Sequence, residues 1–543
     1  MIVPMRHLDL VCLASRKDES LTALRALGAV HLDLSSASGA DFTSLKGDFA
    51  DAERAVRLIL KARAADPSVE IRPHSVAEVL GYETDRQTLV SERDRLEREI
   101  RKYEPYGDFD PALAAKLLAA GIEEIRDELP EKLPEMRLSK MREKLARVVN
   151  RIAIDEAKLA GSDEQTILKS YPALKDRILF AAAKEQLQDH GELAVVSGWV
   201  PEPRAAEVLE RAKTEGWAVL LREREADETP PTLVEPPKMF RPMKALFDGL
   251  GIAPAYTEAD VSVPFMCYFS LFFAMLVGDG AYGTIFLIVT LLLRKKLPKA
   301  WFVLMTVFSA ATVGWGVLSN TWFGAGIPWC ADWPTVTWLA DPSYRNIMLL
   351  CFTIGVSHLM LARLWNGICK LPDSTAIAEF GWAGVLLFMY FVTNSLVGIF
   401  PSIPGFMNWV FGASLVAVFG FTVKPSELKS RGIELGMLPL NIMSALGDII
   451  SYVRLFAVGL ASVKVAENFN SMATSLVSAS NPWWLNVLMS VAMVLILLAG
   501  HGLNLAMAGL SVLVHAVRLN TLEFSNHKGI SWAGYAFRPF VKH

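Results

Sequence analysis

The chain has 543 residues, of which 52% are hydrophobic and 20% are charged, and its formal net charge at pH 7 is −3. The charges are unevenly distributed: residues 262–543 contain 16 Lys or Arg and 10 Asp or Glu, whereas residues 1–261 contain 38 and 47. This division excludes a uniformly soluble protein and indicates a charge-rich front half joined to an apolar membrane half.

The cysteines and the first residues bear on the cellular compartment. No CxxC pair or other metal spacing occurs, so we expect neither a disulfide framework nor a zinc site from Cys12, Cys267, Cys330, Cys351 and Cys369. The start, "MIVPMRHLDLVCLASRK", lacks the basic stretch, long apolar stretch and small-residue cleavage site of a signal peptide. We therefore expect the front half to stay in the cytoplasm.

The first predicted elements are a strand, a helix and a second strand. "PMRHLDLVCLA" alternates between apolar and polar residues, "DESLTALRALG" is helical, and "AVHLDLS" alternates again. Long charged helices, with apolar positions three to four residues apart, are predicted over 78–105 and 132–160. The segment "ELAVVSGWVPEPRAAEVLERAKTEGWAVLLRERE" then predicts a second strand–helix–strand unit.

These elements predict a cytoplasmic N-terminal α+β domain over residues 1–228, with two α/β lobes joined by long helices like a dumbbell. One compact α+β domain with a helical hairpin is the alternative. A Pro-rich linker is predicted over 229–261 and a polytopic α-helical transmembrane domain over 262–543. No GxxxxGK[ST], no GxGxxG after a strand and no HExxH occurs, so we expect no cofactor, no metal and no catalysis by this chain alone.

The apolar half contains eight candidate transmembrane helices, since ~20 apolar residues cross ~30 Å of hydrocarbon. The predicted spans are 262–278, 281–293, 301–320, 346–369, 376–400, 404–423, 436–473 and 484–521. Lys and Arg cluster in alternate loops, for example at 294–299, whereas the opposite loops have almost none. Because positively charged loops tend to be cytoplasmic, we expect a multi-pass protein with both termini in the cytoplasm.

The last two predicted spans are unusually long and each carries an arginine. Each has 38 residues. At 1.5 Å per residue this is about 57 Å, so these helices must tilt strongly, protrude or be broken. The arginines are Arg454 and Arg518. A cation inside the bilayer costs about 2.5–3.5 kcal/mol on insertion scales, so such residues are usually paired or functional.

Three interpretations of Arg454 are open. It could form an internal salt bridge, although Asp448, six residues earlier, lies on the opposite face of an α-helix and cannot neutralise it alone. It could extend to the lipid headgroups, which suits Arg518 near the cytoplasmic end better. Alternatively, a permanent positive charge faces a water-filled cleft or an acidic group of another protein, a role that suits a guanidinium.

Neighbouring residues favour the functional interpretation. Ser451 and Arg454 share a helix face with small residues, which permits close approach of another helix. Spacings of three and four in the last span align a mostly polar stripe: His501, Asn504, Ala508, Ser511, His515 and Arg518. The stripe indicates a hydrated path; the alternative is that His and Asn hydrogen-bond between buried helices.

Five motifs of the apolar half are distinctive: "MLVGDGAYG" at 275–283, "GWGVLSNTWFG" at 314–324, "IGVSHLMLA" at 354–362, "GDIISYVRLFAVGLA" at 447–461 and "LVHAVRLNTLEF" at 513–524. Together with "MIVPMRHLDLVCL" and "VVSGWVP", and in this order, they resemble the membrane stator subunit of V-type and A-type rotary ATPases (subunit a, called subunit I in prokaryotes). The two arginine motifs are the most specific part of the resemblance.

The resemblance implies that Arg454 is the essential arginine facing a ring of proteolipid subunits, and that Arg518 supports it. It implies a prokaryotic plasma-membrane complex with peripheral stalks held by the front half, a central-stalk and ring-cap subunit, and no nucleic acid. Flow of H⁺ or Na⁺ through two half-channels would turn the ring, coupled to ATP hydrolysis or synthesis on other subunits.

The chain departs from eukaryotic relatives at Ala508 and Ser462, where they carry a glutamate and a histidine. Asp448, Ser511 and His515 are the expected replacements, and Ser451, Asn504 and His501 complete the set of residues predicted to serve ion translocation. An ion-coupled secondary transporter with a cytoplasmic regulatory domain is the alternative; it predicts inverted repeats, and none is clear. A membrane-anchored scaffold would leave the arginines unexplained.

Overall fold

The structure, a computed structural model, describes residues 1–542 except 33–38, 66–68, 121–125, 127–128, 131, 329–330, 340, 425–427 and 478–481. The described chain divides into two compact units. The N-terminal unit comprises Met5–Ala226 and Arg538–His543, and the apolar unit comprises Met1–Pro4 and Asp227–Phe537. The chain therefore passes between the units three times, and the segment predicted as a linker belongs to the apolar unit.

The N-terminal unit combines a β-sheet with long helices. Its strands are β1 (Met5–Leu13), β2 (His31–Leu32), β3 (Gln188–His190), β4 (Leu193–Pro201) and β5 (Ala218–Arg222). Its helices are α1 (Lys17–Leu27), α2 (Ala40–Ala65), α3 (Val76–Tyr103), α4 (Pro111–Ala119), α5 (Leu138–Ala160), α6 (Glu164–Gln186) and α7 (Ala205–Glu215). The predicted strand–helix–strand start and the two predicted long helices, which correspond to α3 and α5, are confirmed.

β1 lies inside the sheet because both of its edges are paired, in the strand order β2–β4–β1–β5. Leu8 of β1 lies opposite Gly198 of β4 and Leu221 of β5, and both pairings are antiparallel. Leu8, Leu10 and Cys12 alternate along β1 and are buried in one core. The two segments predicted as separate α/β lobes thus form a single sheet. The prediction of two α/β lobes is therefore corrected, since strands of the second segment fill both edges of β1.

The long helices of this unit pack through small apolar clusters. The cluster between α3 and α5 contains Leu89, Leu96, Val148 and Ile152. Ser75 begins α3 with a capping box: its hydroxyl accepts from the N–H of Glu78, whose carboxylate accepts from the N–H of Ser75 at 2.7 Å. α2 and α6, which the sequence analysis did not predict, pack with α3 and α5 in a second cluster that includes Ile59, Leu159 and Ile167.

The apolar unit is helical. Its helices are α8 (Met243–Leu250), α9 (Ser262–Val277), α10 (Gly280–Leu292), α11 (Lys299–Ser319), α12 (Pro334–Leu339), α13 (Arg345–Lys370), α14 (Thr375–Leu396), α15 (Gly405–Phe421), α16 (Leu428–Ile450), α17 (Val453–Thr474) and α18 (Trp483–Ser511). α18 continues through two π-helical stretches, Val512–Ala516 and Leu519–Phe524, to Lys528. An apolar helix therefore covers every predicted span.

Length and apolar composition qualify five helical segments of the described chain to cross a membrane. They are Lys299–Ser319, Arg345–Lys370, Thr375–Leu396, Leu435–Thr474 and Trp483–Lys528. α9 and α10 form a pair bent by 119°, which adds a sixth span if the pair counts as one, and α15 is shorter. Eight crossings thus stay a prediction, while the great length of the last two spans, 40 and 46 residues, is confirmed.

A buried aspartate holds the sharp turn between α9 and α10. Asp279, 1% exposed, accepts hydrogen bonds from the backbone N–H groups of Ala281 and Gly324, both at 2.8 Å. The first bond caps α10, and the second fixes the segment that follows α11. Gly278 has φ of 71°, a conformation that glycine adopts without steric cost. The motif "GDGAYG" therefore forms a braced reversal of the chain.

Candidate functional site

Arg454 lies at the start of α17, just after the break that separates α17 from α16. Its Nη2 donates to the hydroxyl of Ser451 at 3.1 Å, and its Nη1 lies 3.3 Å from Oε1 of Glu523. The carboxylate of Asp448 instead lies 3.0 Å from Nε2 of His527. The side chain of Arg454 is 23% exposed, so its guanidinium has an internal partner and still reaches the surface of the chain.

Glu523 is a candidate residue that the sequence analysis missed. Its Oε1 also lies 3.5 Å from Nε of Arg518, so one carboxylate oxygen faces two guanidiniums. The side chain of Glu523 is 5% exposed and that of Arg518 is 52% exposed. We call Ser451, Arg454, Arg518 and Glu523 the arginine cluster; two cations and one anion leave it with a net charge of +1. The signal in the sequence was that Glu523 is the only acidic residue between 483 and 528.

The predicted polar stripe of the last span is divided by the π-helical stretches. Asn504 and Ala508 are buried, His501, Ser511 and His515 are partly buried, and Arg518 is exposed. A π-helix closes hydrogen bonds between residues five apart, so its turns are wider than those of an α-helix. Residues three or four apart therefore do not stay on one line across Val512–Ala516 and Leu519–Phe524.

One part of the stripe belongs to a group of hydrogen-bonded side chains that we call the histidine cluster. Nδ2 of Asn504 donates to the hydroxyl of Tyr282 at 3.1 Å, and this hydroxyl lies 2.8 Å from Nδ1 of His501. Nε2 of His501 lies 3.1 Å from Oδ1 of Asn470, and Asn504 exchanges hydrogen bonds with Ser462. Because Asn470 presents an acceptor, Nε2 carries the imidazole proton and Nδ1 accepts from Tyr282.

A third group, the charged chain, starts at Asp448. Nε of Arg363 donates to Nδ1 of His527 at 3.1 Å, which leaves the imidazole proton on Nε2, facing Asp448. Arg363 also pairs with Glu379 at 3.1 Å, and Glu379 pairs with Lys370 at 2.5 Å. The charged chain of side chains thus leads from His527, whose side chain is 5% exposed, to Lys370, whose side chain is 47% exposed.

These three groups bring charge and hydrogen-bonding capacity into helices that are otherwise apolar. Ionisable groups at such positions are expensive and usually mark ion pathways or paired partners. Across the part of the chain that the structure describes, no three His, Cys, Asp or Glu side chains could together hold a metal ion. Long apolar helices with internal ionisable groups define the class of protein: a helical membrane protein.

Comparison with known proteins gives the relatives within this class. V-type ATP synthase subunit I 1 of Treponema pallidum is 29% identical over 99% of this chain and 100% of its own length. V-type ATP synthase subunit I of Borreliella burgdorferi is 33% identical over 65% of this chain and 61% of its own length. A-type ATP synthase subunit I of Methanocaldococcus jannaschii is 24% identical over 83% of this chain and 68% of its own length. No family model matches the chain.

The chain is a homologue of subunit I of the V-type and A-type ATP synthases, which confirms the resemblance of its motifs. The match spans less than two thirds of the Borreliella relative and the whole of the Treponema relative.

Proposed function

We propose that this chain is the membrane stator subunit of a V/A-type rotary ATPase, and that Arg454 faces the passing carboxylates of a proteolipid ring. The observation that supports this most directly is the charge of the arginine cluster. Arg454 and Arg518 share one carboxylate oxygen, so one positive charge has no internal counterpart in the cluster. A carboxylate on a partner would supply that charge, and a guanidinium stays protonated while it attracts the carboxylate.

The other two groups of polar side chains are candidates for the two half-channels. The charged chain ends at Lys370, beside the positively charged loops that favour the cytoplasmic side. The histidine cluster lies toward the opposite side, because His501 precedes Arg518 by 17 residues, or about 26 Å of helix at 1.5 Å per residue. H⁺ or Na⁺ would approach the arginine cluster through one group and leave through the other.

The bent pair supports a topology with both termini on the cytoplasmic side. α9 and α10 are bent by 119°. If the pair crosses the bilayer twice or is re-entrant, it enters and leaves on one side, whereas a single broken crossing would place the two termini on opposite sides. Six later segments follow: α11, α13, α14, α15, α16 with α17, and α18. Because six is an even number, they return the chain to the side on which α11 begins. This is the even number of crossings that the charged loops favour.

The N-terminal unit is the proposed anchor of the peripheral stalks, in a complex that also contains the central-stalk and ring-cap subunit. Its long helices α2, α3, α5 and α6 carry many surface ion pairs, such as Lys144 with Glu92, which keep an extended helical surface soluble. ATP would be hydrolysed or synthesised on other subunits, in a prokaryotic plasma membrane.

An ion-coupled secondary transporter is the second candidate, and the broken pair α9 and α10 is the observation that favours it. Discontinuous helices form the substrate sites of many transporters. Here, however, the polar groups of the turn are already used: both oxygens of Asp279 accept backbone N–H groups. Gentle purification of the tagged chain distinguishes the candidates, because a stator brings a ring of proteolipids and ATPase subunits with it.

Replacement of Arg454 tests the proposed function. In reconstituted vesicles that contain the whole complex, Arg454→Ala is expected to abolish ATP-driven ion uptake while the complex still assembles. Arg454→Lys should restore little, because a lysine lacks the planar fork of donors. Arg345→Ala, which changes an exposed arginine at the start of α13, is the matched control and should pump normally. Normal uptake by Arg454→Ala would refute the assignment.

A further inference from the structure

The π-helical stretch Leu519–Phe524 determines which residue meets the arginines. In an α-helix, residues five positions apart point about 140° away from each other. A π-helix instead bonds each residue to the one five positions along, so that Arg518 and Glu523 come onto one face, one turn apart. The wide turn therefore brings a carboxylate beside both guanidiniums, and π-helical turns in proteins are frequently found at functional sites.

The contacts of Glu523 are those of a loosely held counter-ion. Its Oε1 lies 3.3 Å from Nη1 of Arg454 and 3.5 Å from Nε of Arg518. Both separations exceed the ~2.7–2.9 Å of strong charge-assisted hydrogen bonds. Its Oε2 is buried and has no hydrogen-bond partner among the residues that the structure describes. A buried carboxylate with half of its acceptor capacity unused indicates that tight pairing within the chain is not its only role.

We propose that Glu523 is a resident counter-ion that competes with the carboxylates of the ring for Arg454. This inference rests on the proposed function of the chain as a stator. When no ionised ring carboxylate is near, Glu523 holds Arg454 and Arg518 together inside the chain. When one arrives, the guanidinium of Arg454 turns toward it, and Arg518 keeps Glu523 neutralised until the ring carboxylate moves on.

The competition matters because Arg454 must both bind and release each passing carboxylate. A guanidinium without an internal competitor would hold an ionised carboxylate for longer, since little else in an apolar surrounding can replace it. Glu523 can take the place of the ring carboxylate beside Arg454, and so it shortens the time for which each ring carboxylate remains bound to that guanidinium. Glu523 is thus a positioning residue that acts through Arg454, and its loss should slow turnover without opening a leak.

The test uses the complete complex in vesicles and measures the rate of ATP-driven ion uptake and, separately, the passive ion leak without ATP. Glu523→Gln keeps the size and removes the charge. We expect its uptake rate to fall roughly tenfold, which corresponds to about 1.4 kcal/mol of tighter binding between Arg454 and the ring carboxylate. The leak should equal that of the unmodified complex. Glu523→Asp keeps the charge and should restore most of the rate.

The matched control is Glu467→Gln, which removes an exposed carboxylate that pairs with Lys464 on α17. It should leave uptake and leak unchanged. An unchanged rate in Glu523→Gln, an increased leak, or a Glu523→Asp variant as slow as Glu523→Gln would each overturn the counter-ion role. Should Glu523→Gln fail to assemble, an assembled Glu523→Asp complex with less than about a tenth of the normal rate would also overturn it.

These outcomes are separate from those of the proposed function. If Arg454→Ala pumps normally, the stator assignment fails. If Arg454→Ala is inactive but Glu523→Gln pumps at the normal rate, only the counter-ion inference fails.

Discussion

Nδ1 of His358 lies 2.8 Å from the hydroxyl of Tyr452, and both residues are completely buried. The imidazole of His358 is stacked between the rings of Tyr268 and Phe524, at centroid distances of 4.0 and 4.4 Å. Tyr452 lies in the break between α16 and α17, two residues before Arg454. A buried contact from α13 thus holds the backbone from which the guanidinium of Arg454 extends.

Removal of the Tyr452 hydroxyl should destabilise this break. Tyr452→Phe leaves Nδ1 of His358 buried without its partner, which costs about 1–3 kcal/mol of folding free energy. We expect a lower midpoint of thermal unfolding for the purified complex and a reduced rate of ion uptake, because Arg454 loses its support. Tyr268→Phe is the control, since its hydroxyl contacts the exposed Ser357 at 3.2 Å. Equal unfolding midpoints for the two variants would contradict this account.

Asp279 should stabilise the reversal between α9 and α10 in two separable ways. Asp279→Ala removes the cap of α10, worth about 0.5–2 kcal/mol, together with the acceptor for Gly324. Asp279→Asn keeps one oxygen acceptor and should lose about half as much. Hydrogen–deuterium exchange over residues 280–292 measures the effect, with Asp341→Asn, which changes a partly exposed aspartate bonded to Ser343, as control. Faster exchange in the control than in Asp279→Ala would rule out this role.

The N-terminal unit offers a prediction about pH. Arg86 hydrogen-bonds to Glu83 and holds the pKa of that carboxyl below its usual value, and Gln87 adds to the effect. Because the pKa is lower in the folded state, the stabilisation is present above the unfolded pKa of about 4.3 and is lost as the pH falls through the folded value. Glu83→Gln should therefore destabilise α3 by about 1 kcal/mol at pH 7.

The difference between Glu83→Gln and the unmodified protein should shrink as the pH falls below about 4.3. Hydrogen–deuterium exchange of α3 in the full-length protein provides the measurement at each pH. Glu70→Gln, which changes an exposed carboxylate paired with Arg72, is the control and should show little difference at any pH. A Glu83→Gln difference that grows toward acid pH would contradict the predicted sign.

Phe540 should stabilise the sheet of the N-terminal unit. It is 4% exposed and packs in the core that contains Leu8 and Leu10, while its N–H donates to the carbonyl of Val30 at 2.8 Å. Phe540→Ala leaves a cavity in this core. We expect the free energy of unfolding to fall by about 3–5 kcal/mol, which is typical of such a truncation. Faster hydrogen exchange in β1 of the full-length protein is the expected result. Lys542→Ala changes an exposed neighbour and should leave the exchange unchanged.

Local sequence patterns predicted many of the individual helices and strands, but they could not predict which distant segments pair with each other. The alternation of β1 and the periodicity of α3 and α5 were visible because each follows from which face of a single element is buried. No local signal shows that Leu8 pairs with Gly198, almost two hundred residues later, so the single sheet was missed. α6 contains Pro172, a residue that normally argues against a helix interior, which explains its omission.

The same limit applies to the candidate site. Arg454 and Arg518 were conspicuous because a charge within an apolar run needs a reason. Glu523 was overlooked because a spacing of five residues suggests opposite faces in an α-helix, and only a π-helical stretch brings it beside Arg518. The pairing of Asp448 with His527, 79 residues away, likewise depends on how helices pack.

The three passages of the chain between its units affect how the protein can be divided. The backbone of Val3 hydrogen-bonds to Leu233 in the apolar unit, and that of Phe540 to Val30 in the N-terminal unit. A single cut between residues 226 and 227 would therefore leave each fragment without a piece that the other retains. Split-gene expression or domain exchange with a relative would need to transfer these short end segments as well, or the hybrids would start with incomplete cores.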